Sequence, residues 1–148
     1  MATQLTETHA RQSLNSHAAA KGADIFDKYG PQIGWKELLL ILEDRGCVRY
    51  PCKIVFDPAA LGPGEFAHPV ALGDVPEAGF NMHIHPCFMT QLRVVPYLVL
   101  YQLVLVNYGD CACADDAETF AAAALGLDKE DYYQRLCSLA DQLGGLEG

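Results

Sequence analysis

The chain has 148 residues, of which 51% are hydrophobic and 20% are charged, and its formal net charge at pH 7 is −9. This length suits one hydrophobic core, so we expect residues 1–148 to form a single globular domain. The high apolar fraction excludes collagen-like and disordered chains, and the length excludes a complete eight-stranded α/β barrel.

The negative charge is concentrated in the C-terminal part of the chain. Residues 110–148 contain nine acidic residues and only two basic ones, Lys129 and Arg135. An acidic surface repels phosphate groups, so we expect neither nucleic acid nor an anionic membrane as a partner. The first twenty residues lack the pattern of a secretion signal, and six cysteines are too few for a disulfide scaffold. The sequence therefore predicts a soluble, cytoplasmic protein with reduced thiols.

Two helices are predicted in the N-terminal part of the chain. Apolar residues at helical spacing predict the first helix over residues 6–29, and the Gly-Pro pair at 30–31 ends it. The second helix is expected over residues 35–44, with Gly46 as a C-terminal cap. Its apolar side chains form one stripe, which comprises Trp35, Leu38, Leu39 and Leu42.

The spacing of apolar residues then changes from helical to alternating, which predicts a small antiparallel sheet over about residues 47–85. Strands are expected at residues 48–56, 66–72 and 80–85, separated by turns rich in Gly and Pro. Pro51 has no N–H to donate, so we expect the first strand at an edge of the sheet or beside a bulge.

A strongly apolar segment follows at residues 92–108. Pro96 would interrupt a strand but suits the first turn of a helix, so a buried helix over 96–108 is favoured, although its valines favour a strand. Two further helices form a C-terminal helical hairpin. The first is expected over about residues 115–125, with Asp115 or Asp116 as its N-cap and Gly126 at its end, and the second from Asp128 onwards. The predicted class is α+β: N-terminal helices, a small antiparallel sheet, a buried helix and the hairpin.

The segment FNMHIHPC at residues 80–87 contains the main candidate site. In a strand, His83 and His85 lie on the same face, with their Cβ atoms roughly 7 Å apart. That separation allows two ring nitrogens to bind one first-row metal ion, whose bonds to nitrogen are about 2.0–2.1 Å long. The alternative interpretation is the solvated face of a half-buried strand.

A metal ion would need further ligands, and Glu65 and His68 enter the preceding strand. A neighbouring antiparallel strand could bring either of them beside His83 and His85. Strand alternation places Glu65 and His68 on opposite faces, so we expect only one of them to be a ligand unless Pro69 marks a bulge. His68 can equally be a histidine at the edge of the core.

Three cysteines are additional candidate ligands. Cys111 and Cys113 lie in a loop of small residues, and together they could supply two thiolates to zinc. If this loop folds back onto the His-x-His strand, a site with two histidines and two cysteines results. The alternatives are a redox-sensitive pair, which the acidic neighbours disfavour, or an inert turn. Cys87 follows the His-x-His-Pro turn and could be a third ligand or a nucleophile.

The leading hypothesis is a small soluble metal-binding protein centred on the His-x-His strand. Zinc would suit a hydrolase and ferrous iron would suit an oxygenase, so one of these divalent ions is the expected cofactor. The alternative is a non-catalytic accessory or oligomerisation module. It would bind a second copy of the chain or another protein through the apolar helix or the acidic C-terminal part.

Overall fold

The structure is a computed structural model that describes the backbone of residues 7–147 and the side chains of residues 12–143. Five α-helices and three strands form the described part of the chain, and they confirm the predicted α+β class. In chain order they are α1 (Glu7–Tyr29), α2 (Trp35–Glu43), β1 (Cys52–Phe56), β2 (Ala67–Ala71), β3 (Phe80–Ile84), α3 (Val95–Tyr108), α4 (Ala114–Leu125) and α5 (Lys129–Glu147).

The sheet has the strand order β1-β3-β2 and is mixed rather than wholly antiparallel. β2 and β3 pair antiparallel as predicted, whereas β1 and β3 pair parallel. The reason is the connection over residues 57–66, which leaves room for one strand between β1 and β2. β3 fills this central position and therefore pairs with both of the strands that precede it in the chain. The predicted first strand is also shorter, since β1 begins at Cys52 and the preceding residues form turns.

β2 is an edge strand, and it accommodates Pro69 without a bulge. Pro69 lies opposite Met82 in an uninterrupted register. Backbone hydrogen bonds from Leu72 to Gly79 and from His85 to Phe66 flank this register. Because hydrogen-bonded and non-hydrogen-bonded pairs alternate in an antiparallel ladder, Pro69 occupies a position where no N–H is needed towards β3.

The core lies between the sheet and the helices, and α3 is its central element. Five side chains of α3 are fully buried, namely Val95, Leu98, Val99, Leu100 and Leu103. Met82 and Ile84 of β3 are also fully buried. Burying each such side chain stabilises the fold by about 1.5–3 kcal/mol. The helix predicted over 96–108 is therefore confirmed, and most of its side chains are buried within the chain itself.

The helical hairpin is confirmed, with one difference at the start of α4. Gly126 ends α4 in the left-handed conformation at φ 68°, as its position predicts. The N-cap is Cys113, however, and Asp116 closes a capping box by accepting a hydrogen bond from the Cys113 backbone N–H. Within residues 7–147, no helix combines the length and the apolar character that a membrane crossing requires.

Candidate functional site

The histidine that lies beside His83 is His68 of the neighbouring strand. The register of β2 and β3 places His68 directly opposite His83. Their neighbours Ala67, Met82 and Ile84 are buried, whereas both histidines are only partly exposed to solvent. The two imidazoles therefore project from the same side of the sheet, away from the core. We call this side the outer face.

His83 is oriented by the end of β1. Its Nδ1 lies 3.3 Å from the backbone carbonyl oxygen of Asp57, the residue that follows β1. In the tautomer with the proton on Nδ1, this nitrogen donates to the carbonyl and leaves the lone pair on Nε2. A backbone carbonyl that holds one ring nitrogen in this way is the usual support of a metal-binding histidine.

Glu65 lies close to His68, which strand alternation did not predict. One carboxylate oxygen, Oε2, is 3.9 Å from Nδ1 of His68, and both side chains are nearly half exposed. The other oxygen, Oε1, accepts a hydrogen bond of 2.7 Å from the backbone N–H of Gly62. Glu65 precedes β2, so the pleat of the strand does not determine its direction, and the turn brings its carboxylate back towards His68.

His85 has a different role from His83. β3 ends at Ile84, one residue before the predicted strand end, and His85 caps the short 3₁₀ helix that follows. Its Nδ1 accepts a hydrogen bond of 3.2 Å from the backbone N–H of Cys87. In the neutral ring the proton is then on Nε2, so His85 offers no free lone pair in this arrangement.

Cys87 is a weak candidate ligand. Its side chain is half-buried, and burial raises the pKa of its thiol. A thiol binds zinc as the thiolate, so a raised pKa disfavours binding. The backbone N–H of Cys87 is already bonded to His85. The residue therefore contributes to the turn after β3.

The loop with Cys111 and Cys113 approaches β2 and not the end of β3. Cys113 and Glu65 both line a small cavity of about 280 Å³, together with His68. Cys111 and His68 also line a larger cavity of about 680 Å³. Neither His83 nor His85 lines either cavity. The convergence of the loop with the His-x-His pair, which the sequence left open, is not seen.

The thiol of Cys113 has a structural partner. Its Sγ donates to Oδ2 of Asp116 at 3.3 Å, in addition to the backbone hydrogen bond of the capping box. Asp116 is fully buried, and its other oxygen accepts from the Asn15 amide at 3.0 Å. Asp116 thus joins α1 to the start of α4.

With the side chains in these positions, no three His, Cys, Asp or Glu residues within the described range are arranged to hold a metal ion. Comparisons with protein-family models, with curated proteins and with solved structures find no match to this chain. The chemistry of the site is therefore argued from its own residues.

Proposed function

We propose that this chain binds a divalent transition-metal ion, zinc or iron, on the outer face of the sheet between His68 and His83. The observation that supports the proposal is their direct opposition in the antiparallel register. We propose the cytoplasm as the location, in keeping with the composition of the chain.

The distances of a β-ladder suit this arrangement. Residues that oppose each other on one face have Cβ atoms about 4.5–5.5 Å apart. Rotation of the two partly exposed imidazoles can bring one nitrogen of each within about 2.0–2.1 Å of a common ion. The carbonyl of Asp57 holds Nδ1 of His83, so Nε2 is the nitrogen proposed to bind the metal.

Glu65 is the proposed third ligand. Its carboxylate is already 3.9 Å from the His68 ring, and its exposed side chain can turn towards the ion without disturbing the core. Two histidines and one carboxylate leave coordination positions open for water or a substrate. Such a set with zinc supports water activation, and with ferrous iron it supports oxygen chemistry.

Calorimetric titration of chelator-treated protein with zinc at about pH 7.5 tests the proposal. The variants are His68→Ala, His83→Ala and Glu65→Gln. His85→Ala is the matched control, because it removes an adjacent imidazole that caps a turn. We expect each histidine variant to weaken zinc binding at least about tenfold, since each removes one ligand. His85→Ala should bind as the wild type does.

Two results would overturn the proposal. One is zinc binding to the His68→Ala/His83→Ala double variant at the wild-type affinity. The other is loss of binding in His85→Ala alone. A repeat of the titration at about pH 5.5 adds a second readout, because protonated imidazoles cannot bind a metal. Affinity should fall steeply at this pH.

The apolar segment that suggested an oligomerisation module is α3. Most of its side chains are buried within the same chain, whereas Tyr97, Tyr101, Leu105 and Tyr108 are partly exposed. This burial leaves the alternative with less support than the apolar pattern alone suggests.

A further inference from the structure

A second feature is the cavity of about 680 Å³ at the C-terminal end of α3, which has His68 in its wall but not His83. Its walls come from α1, from the segment before β1, from the sheet and from the last turn of α3. A volume of this size is typical of sites for small organic molecules, which commonly range from about 300 to 1,000 Å³.

Aromatic and aliphatic side chains form most of the wall. The rings of Tyr50 and Phe80 lie 6.3 Å apart, and Tyr108, Leu14 and Leu105 contribute further apolar surface. All five side chains are only partly buried, so the cavity leaves part of their surface uncovered. Such walls favour a ligand with an apolar body.

Arg49 contributes a positive charge that is held in place at this cavity. Its Nη1 donates to the backbone carbonyl of Asn107 at 3.0 Å, and its guanidinium lies 5.5 Å from the centre of the Tyr50 ring. Its backbone N–H donates to Oδ1 of Asn107 at 2.9 Å. Asn107 is itself buried and donates through Nδ2 to the carbonyl of Cys47. Both the backbone and the guanidinium of Arg49 are therefore held in place.

The guanidinium retains donors for a ligand. It has five N–H groups, and the carbonyl of Asn107 accepts from Nη1 alone. In the part of the chain with described side chains, the carboxylates of Asp44 and Asp115 pair with lysines and that of Glu65 lies near His68, and no carboxylate is paired with Arg49. The positive charge of Arg49 also acts on Tyr108 in the cavity wall. Burial raises the pKa of the Tyr108 hydroxyl, and the charge of Arg49 opposes that rise.

We propose that this cavity binds a small carboxylic acid with an apolar body. The carboxylate pairs with the guanidinium of Arg49, and the body lies against Tyr50, Phe80 and Tyr108. Arginine suits this role because its planar fork matches the two oxygens of a carboxylate. Asp110 lines the same cavity, so an ammonium group on the ligand would find a partner there. Simple carboxylic acids and amino acids with apolar side chains share this chemistry.

The test is titration with 3-phenylpropionate, followed by amide chemical shifts in NMR spectra. A chelator is present throughout, so the result does not depend on the proposed metal site. We expect a dissociation constant of about 1 mM or below, as suits a ligand of this size. The neutral analogue 3-phenylpropanol should bind at least about tenfold more weakly, because it cannot form the charged pair.

Two variants and one control locate the binding. Arg49→Gln removes the charge, and Ala71→Trp places a large ring at an exposed position that lines the cavity. Each should weaken binding at least about tenfold. Arg93→Gln removes one positive charge from an exposed position that does not line the cavity, and it should bind normally. If Arg49→Gln does not fold, Ala71→Trp still decides the question.

Titration with phenylalanine distinguishes the two classes of ligand, simple carboxylic acids and amino acids. Stronger binding of phenylalanine than of 3-phenylpropionate, lost in Asp110→Asn, would identify amino acids as the ligands. Equal or weaker binding of phenylalanine would identify simple carboxylic acids. Failure of both compounds to bind at about 10 mM would overturn the proposal, and so would undiminished binding to both Arg49→Gln and Ala71→Trp.

Discussion

The hydroxyl of Tyr132 in α5 donates a hydrogen bond of 2.6 Å to the backbone carbonyl of Tyr97 in the first turn of α3. The two rings are stacked, with centroids 6.2 Å apart and an angle of 8° between their planes. Tyr132 is fully buried, and burial raises the pKa of its hydroxyl well above the usual value. Arg135, one turn later, donates to the Tyr97 hydroxyl at 3.1 Å. These contacts hold the last helix on the central one.

We therefore expect Tyr132→Phe to lower the free energy of unfolding by about 1 kcal/mol, because it removes one buried hydrogen bond and keeps the ring. Tyr132→Ala should cost about 3–5 kcal/mol, because the ring leaves a cavity. Urea denaturation measures both values. Tyr133→Phe is the control: that residue is 42% exposed, and the change should stay within about 0.5 kcal/mol. Equal stability of Tyr132→Phe and Tyr132→Ala would contradict this account.

Gly22 lies where α1 packs tightly against α4. A Cβ atom added there would lie 2.4 Å from the carbonyl oxygen of Phe120 and 2.7 Å from Cβ of Ala123. Alanine is favoured over glycine by about 1 kcal/mol in a free helix, but here it would force the helices apart. We expect Gly22→Ala to destabilise the protein by about 1–3 kcal/mol. Ser16→Ala, at an exposed position of α1, should be close to neutral. A stabilised Gly22→Ala would show that the helices pack less closely.

Local patterns in the sequence predict the helices well. Apolar spacing sets their faces, and Gly126 ends α4 at the predicted position because the left-handed conformation suits glycine. The direction of β1 could not be predicted in the same way. A strand presents the same alternating faces whether its neighbour runs parallel or antiparallel, so the burial of Cys52 is compatible with both pairings.

The candidate site shows the same limit. Alternation correctly places Met82 and His83 on opposite faces, but it does not reveal which residue of β2 lies beside His83. That depends on the register, which the turn between β2 and β3 determines. The contact between Arg49 and Asn107 joins residues 58 positions apart, and no local pattern predicts it. The signal in the sequence that could have indicated this contact is Asn107, a lone asparagine near the end of an apolar helix, because a buried amide needs hydrogen-bond partners.

Asp44 gives the stability a predictable dependence on pH. Its carboxylate accepts hydrogen bonds from Lys28, from the Tyr29 hydroxyl and from the Gly46 backbone N–H. These bonds, with that from Lys28 the largest cause, hold the pKa of Asp44 well below its ordinary value. The folded state thus binds this proton less readily than the unfolded state. The stabilisation is fully present above about pH 4 and is lost as the pH falls below it.

Thermal unfolding at about pH 7 and about pH 3 measures this effect. Asp44→Asn should destabilise the protein at pH 7 and should lose less further stability than the wild type on acidification. The control is Glu43→Gln, which removes one charge from the adjacent exposed residue and should follow the wild-type pH dependence. Parallel pH profiles of the wild type and Asp44→Asn would contradict the assigned role.

The cysteines should differ strongly in their reactivity. Cys111 and Cys137 are exposed, whereas Cys47 and Cys52 are buried. Burial is the main cause that raises the pKa of each buried thiol to about 11, from an ordinary 9.0. At about pH 8 this rise lowers the thiolate fraction about a hundredfold, and access is restricted as well. Iodoacetamide should therefore label the exposed pair first.

Peptide mapping by mass spectrometry measures the order of labelling, and the urea-unfolded chain, in which all sites are accessible, is the control. Labelling of Cys52 as fast as that of Cys111 in the folded protein would contradict the burial in the structure. The same experiment with added zinc bears on the metal proposal. The proposed ligands His68, His83 and Glu65 include neither thiol, so zinc should leave the labelling rates of Cys111 and Cys113 unchanged. Zinc-dependent protection of both thiols would move the metal site to their loop, because a thiolate that binds zinc no longer reacts freely.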